Sequence, residues 1–158
     1  MSVVLGDQLT PALFERLNGR DVVSQAGKAI VLATIDENSW PHPAMLSYYE
    51  VVAKDLQHID LAVAKTSTTA RNLRRTGKIT LVLTDYGMNY YVKGEALELR
   101  NSLAAMPFLS LFRVRVERLL EDQEPDATIT GGITFERPDK EAIRAMIAEM
   151  FRRIMQEA

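Results

Sequence analysis

The chain contains no cysteine in its 158 residues. Disulfides, thiolate metal sites, cysteine nucleophiles and iron–sulfur clusters are therefore excluded together. Histidine occurs only twice and tryptophan once. No apolar run approaches the roughly 18 residues of a membrane span. The opening stretch MSVVLGDQLT reaches Asp7 and Gln8 too soon for a signal-peptide core, so a cytoplasmic protein is expected. Neither sign of charge dominates: 19 Lys and Arg stand against 21 Asp and Glu, a net charge of -2. That balance argues against a nucleic-acid binder. Repeats and low-complexity segments are also missing, which leaves one domain with an ordinary apolar fraction of 47%.

What is present reads as helix, strands, short helix, strands, closing helix. Thr10-Pro11 opens a helix as N-cap and N1 proline, and Asn18-Gly19 ends it. Ala29 to Ile35 is an apolar strand covered on both faces. A second strand is expected from His42 to Val52 and a third from His58 to Ala64. The period then changes. Ser67 to Arg75 lacks strand alternation, Ala70 and Leu73 share a helical face, and Thr66 or Ser67 can cap it. Ile79 to Thr84, Tyr90 to Arg100 and Leu111 to Leu119 are further strands, with Gly94 marking a bulge. Thr128 to Phe135 suggests a short strand broken by Gly131-Gly132, and residues 101–110 show no pattern. Pro138 to Glu157 is a helix with a stripe of Ile143, Met146, Ile147, Met150 and Ile154, read as core packing. The expected class is mainly β with helices, α+β. Six or seven strands point to an antiparallel barrel with a short helix after the third strand and a C-terminal helix, since closure removes exposed edges.

The segment Lys65 to Lys78, KTSTTARNLRRTGK, carries the chemistry. A hydroxyl-rich turn opens a helix whose first N–H groups lack partners and carry partial positive charge, and Lys65 and Arg71 add full charges. Such a turn suits a phosphate. Read alone, a capped helix with a solvated basic face accounts for the same residues.

The order of the segments decides between these readings. LATIDENSWPHPAML, then STTARNLRRTGKITLVL, then YYVKGEALEL resembles the FMN-binding split-barrel family related to pyridoxamine 5'-phosphate oxidase. The similarity runs from Lys28 to Arg100. It implies a six-stranded antiparallel split-barrel homodimer with FMN at the subunit interface. Ser67 matches the family's phosphate-binding Ser or Thr. Thr68 and Thr69 stand where relatives often carry basic residues, so Lys65 or Arg71 must supply the charge. Met45, Leu46 and Ser47 lie on the strand whose backbone borders the flavin ring, and Ala64 replaces a frequent Thr. The resemblance thus makes Met45, Leu46, Ser47, Ala64, Lys65, Thr66, Ser67, Thr68, Thr69 and Arg71 the candidate cofactor-binding residues.

It implies an oxidoreductase whose flavin carries the chemistry, with a reduced nicotinamide or another small molecule as electron donor. The C-terminal substrate motif of the true oxidases is not seen. A flavin store, carrier or sensor is the alternative, as is the same barrel binding haem or a deazaflavin. A nucleic-acid module using ARNLRRTGK is disfavoured by the acidic total. His42 and His58 lack the acidic company of a metal site, so no metal is expected. Arg74, Arg75, Arg113 and Arg115 are expected to be solvated, and Tyr48 and Tyr49 to point to opposite faces of a strand.

Overall fold

The computed structural model describes residues 1–157. Its strands are β1 (Ser2–Gly6), β2 (Ala29–Ile35), β3 (Pro41–Ser47), β4 (Val51–Ala53), β5 (His58–Ala64), β6 (Lys78–Asp85), β7 (Met88–Arg100) and β8 (Leu109–Asp122). Its helices are α1 (Pro11–Leu17), α2 (Thr68–Thr76) and α3 (Glu141–Gln156).

The strands form one antiparallel sheet in the order β3-β2-β6-β7-β8-β5-β4, with β1 paired to β8. The two edge strands of this path, β3 and β4, are consecutive in the chain. Only Tyr48–Glu50, a single tight turn, joins them. So short a link forces the sheet to curl until its edges come together, giving a split barrel.

Seven strands lie on the closing path and β1 adds an eighth, which corrects the six-stranded count implied by the resemblance. The expected strand from His42 to Val52 is broken at Ser47. There the Glu50 carboxylate accepts from both the backbone N–H (2.6 Å) and the hydroxyl (2.8 Å) of Ser47. That capping box turns the chain from one sheet edge to the other. Tyr48 and Tyr49 therefore sit in a turn and not on opposite faces of a strand. The strand expected over Thr128 to Phe135 is reduced to one bridge, Lys28 to Thr134. Residues 101–108 form a loop folded back on itself by a Leu103–Met106 bridge, with both side chains buried.

Two apolar clusters follow from strand alternation. Ile59, Leu61 and Val63 of β5 face the barrel interior with Ile30, Leu32, Leu81, Leu83 and Phe112. Leu9, Leu13 and Leu17 pack against the same cluster, fixed by the Thr10 hydroxyl accepting from Leu13 N–H at 3.2 Å. On the outer face, Ala62 joins Val52, Leu111, Met150 and Ile154 beneath α3. Strand β5 is thus covered on both sides, which explains its apolar composition. At Gly94 the β7–β8 register shifts, and a Cβ there would strike the carbonyl oxygen of Arg115. The bulge requires glycine.

No described helix is long and apolar enough to cross a membrane.

Candidate cofactor-binding site

Helix α2 begins where the sequence pattern places it. The Ser67 hydroxyl accepts from Ala70 N–H at 3.1 Å, and the Ser67 carbonyl accepts from Arg71 N–H at 3.1 Å. Helix geometry leaves the N–H groups of Thr68 and Thr69 without intrahelical acceptors. Gly77 closes the helix in the left-handed conformation at φ 67°, a position that favours glycine. Asn72 donates to the Thr34 hydroxyl at 2.9 Å, both side chains buried, and so ties α2 to β2.

Thr68 and Arg71 open onto a cleft of about 460 Å³ between α2 and the β2–β3 turn. His42, Asn72 and Arg75 line it with them, as do Asp36 and Glu37. Arg71 donates to the Thr68 hydroxyl at 3.0 Å, and among the described residues no carboxylate pairs with it. Arg75 donates to the Ile35 carbonyl at 2.5 Å. Asp36 is spent on its own turn, one carboxylate oxygen accepting from Asn38 and Trp40 N–H, each at 2.9 Å.

Met45, Leu46 and Ser47 do not join this cleft. They border a second one of about 350 Å³, with Ala29, Glu50, Phe135 and Arg137. The two clefts lie at opposite ends of β3, about 13 Å apart at strand rise. Strand β3 is an edge, bonded only to β2. Its two prolines fit that place, because proline cannot donate to a second neighbour. Leu46 packs into the barrel, while Met45 is 62% exposed on the outer face.

The remaining candidates are dispersed. Ala64 is exposed on β5, and Lys65 and Thr66 form the turn into α2 without lining the first cleft. Thr69 is buried beneath α2.

Two of the four arginines expected to be solvated, Arg74 and Arg113, are instead anchored, while Arg115 is exposed. Arg74 makes a forked pair with Glu98 (2.6 and 3.0 Å) and donates to the Lys65 carbonyl (2.9 Å) and the Ser110 hydroxyl (3.0 Å). The bond from Arg74 holds the Glu98 carboxyl below its ordinary pKa. Arg113 forks onto the fully buried Asp60, directly across the β5–β8 ladder, at 2.8 and 2.9 Å. Cross-strand register had placed the two together, yet the sequence shows no sign of it. His58 pairs with Asp55 at 2.9 Å rather than with Asp60. Among the described residues no three His, Asp or Glu cluster as a metal would need.

The residue pattern gives no role to His42, Asn72, Glu50, Phe135 or Arg137 and reads Arg75 as solvated, yet all of them line one of the two clefts. His42 precedes Pro43 on a strand, a position with no signal of function. Phe135 and Arg137 lie in irregular chain that only the fold carries to β3.

No family model matches the chain. The uncharacterized protein YclD of Bacillus subtilis is 32% identical over 135 residues, covering 85% of this chain and 88% of that protein. Among solved structures, a Lactobacillus delbrueckii protein provisionally described as a pyridoxamine 5'-phosphate oxidase superposes with a TM-score of 0.59 at 16% identity, over 73% of this chain and 97% of its own. HupZ of Group A Streptococcus gives 0.55 at 15%, over 81% and 100%. A Clostridium acetobutylicum protein of the pyridoxinephosphate oxidase family, related to general stress protein 26, gives 0.52 at 13%, over 74% and 95%. At such identities the likeness establishes a shared fold.

Proposed function

We propose that this chain, which belongs to the family of YclD and has the split-barrel fold of the pyridoxamine 5'-phosphate oxidase-like proteins, is an oxidoreductase that binds FMN along strand β3. The observation that carries the reading is the pair of clefts joined by that strand. One end offers the Thr68 hydroxyl, the Asn72 amide and the Arg71 guanidinium, which has no carboxylate partner among the described residues. The other offers strand backbone beside apolar side chains.

The first cleft suits a phosphate monoester by its donors. The Thr68 hydroxyl donates there and Arg71 supplies charge, while the N–H groups of Thr68 and Thr69 are donors at the adjoining end of the helix. Ser67 acts one step back, since its hydroxyl caps the helix and sets where those N–H groups point. Lys65 adds charge from the turn. Asp36 and Glu37 oppose a dianion, but the Asp36 carboxylate is already engaged by two backbone N–H groups. In the second cleft the backbone of Met45, Leu46 and Ser47 orients the ring, with Ala64 beyond on β5.

Bound there, the flavin supplies reversible hydride and electron transfer. The protein contributes binding, orientation and exclusion of water, so no acid, base or nucleophile is required of its side chains. The donor of electrons is a reduced nicotinamide or another small molecule.

A homodimer completes the site. Pro41, Pro43 and Met45 project from the outer face of an unpaired edge strand, and all three are exposed. Prolines blunt strand addition at that edge, so a second copy would meet this exposed apolar face instead.

The test is the visible spectrum of freshly purified protein, followed by denaturation and identification of the released chromophore. Released FMN supports the reading. Haem, a deazaflavin or no chromophore after incubation with FMN overturns it. Anaerobic bleaching by reduced nicotinamide then separates an enzyme from a carrier whose flavin stays oxidised.

A further inference from the structure

A space that the flavin reading leaves unused lies beside the ring cleft. A cavity of about 430 Å³ separates the first half of α3 from residues 135–139. Ile143 and Ile147 line one side, Tyr49 and Phe135 the other. Helix α3 touches the core only from Met150 onward, where Met150 and Ile154 are buried. Its earlier apolar residues Ile143 and Ile147 are only half-buried and line this open-sided chamber. Tyr49 is held edge-on to Phe151 at 5.7 Å and 82°, so the docked half of α3 fixes that wall.

Two guanidiniums reach this cavity. Arg144 is neutralised by Asp139. Arg137 lies over the Phe135 ring at 5.0 Å and has no carboxylate partner among the described residues. Phe135 and Arg137 also line the cleft of Met45 to Ser47, so the two spaces share a wall.

We infer that this chamber binds the substrate: a molecule with a planar apolar body and one anionic group, the body lying between Phe135 and Ile147 and the anion meeting Arg137. Naming it a substrate rests on the flavin reading; the binding itself does not. The volume falls within the roughly 300–1,000 Å³ of small-molecule sites. An unpaired arginine beside an aromatic ring selects an anion attached to a flat group.

The probe is 8-anilinonaphthalene-1-sulfonate, titrated by its fluorescence into the full chain with and without saturating FMN. N-phenyl-1-naphthylamine, the same skeleton without the sulfonate, is the control. The expected result is one sulfonate per chain, not displaced by FMN, with the uncharged control at least tenfold weaker. Arg137→Gln should weaken the sulfonate about tenfold and Arg137→Lys should restore most of it. Ile147→Asp should abolish binding. Equal affinity for the control, an unchanged Arg137→Gln titration, or displacement by FMN overturns the inference. So does Ile147→Asp turning a sedimenting dimer into a monomer, because a second copy then covers this face. Arg137-dependent binding in a protein that retains no flavin keeps the pocket and overturns the flavin reading instead.

Discussion

Arg74 donates through Nη1 to the carbonyl oxygen of Lys65, 2.9 Å away and nine residues earlier in the chain. The same guanidinium grips Glu98 on β7 and Ser110 on β8. A helix residue thereby braces the turn that opens its own helix, against two strands. The turn's conformation is set by a side chain that never faces the cleft.

Replacing Arg74 tests that brace. Arg74→Ala should weaken FMN about tenfold by loosening the turn, and should cost about 1–3 kcal/mol of stability through the abandoned Glu98 and Ser110. Arg74→Lys keeps one contact and should fall between. Quenching of FMN fluorescence reads the affinity and urea unfolding reads the stability. An unchanged affinity would show that the turn holds its shape unaided.

Ser67 and Arg71 should separate stability from binding. Ser67→Ala removes the cap on Ala70 N–H and should cost about 1 kcal/mol along with affinity. Arg71 touches only the Thr68 hydroxyl, so Arg71→Ala should leave the urea midpoint unchanged while FMN binding drops about tenfold or more. Rising salt should weaken the parent more than this variant.

Acid stability should depend on Asp85. Burial alone would raise its pKa, but bonds from Lys28 (2.6 Å), the Tyr86 N–H and Arg16 outweigh it and hold the carboxyl at about 2. An unfolded Asp titrates near 3.9. The folded value is the lower one, so the ionised group stabilises the fold above about pH 4. That contribution, about 2 kcal/mol, disappears as pH falls from about 4 through 2. The gap in unfolding free energy between the parent and Asp85→Asn should narrow across that window. A gap that stays constant from pH 7 to 2 would contradict it.

Lys54 should govern the docking of α3. Its ammonium donates to the carbonyls of Ile154 (2.7 Å) and Met155 (3.1 Å) in the last turn, and burial lowers its pKa. Lys54→Met removes that anchor while keeping the stem. Amide exchange within α3 should accelerate about tenfold, while the barrel strands stay protected. Acceleration throughout the barrel would mean that α3 does not open on its own.

Much of this fold was legible before any coordinates. Strands β2 and β5 and the caps of α1 and α2 lie where periodicity and turn chemistry put them. Thr10 and Ser67 act within four residues of themselves, so sequence alone exposes them. The hydroxyl-rich turn that opens α2 was legible for the same reason. The broken strand at Ser47 was readable only in part: Ser47 and Glu50 have capping-box spacing, but the surrounding apolar residues read as strand.

Beyond that reach, pairing decides. The sequence by itself determined the local pieces and the hydroxyl-rich start of α2, because propensity and capping involve neighbours in the chain. Only the tertiary structure decided that β1 lies on β8, that Arg113 covers Asp60, and that Phe135 and Arg137 stand beside Met45 to Ser47. Those contacts come from the sheet closing on itself, and closure joins residues whose spacing along the chain carries no period to read.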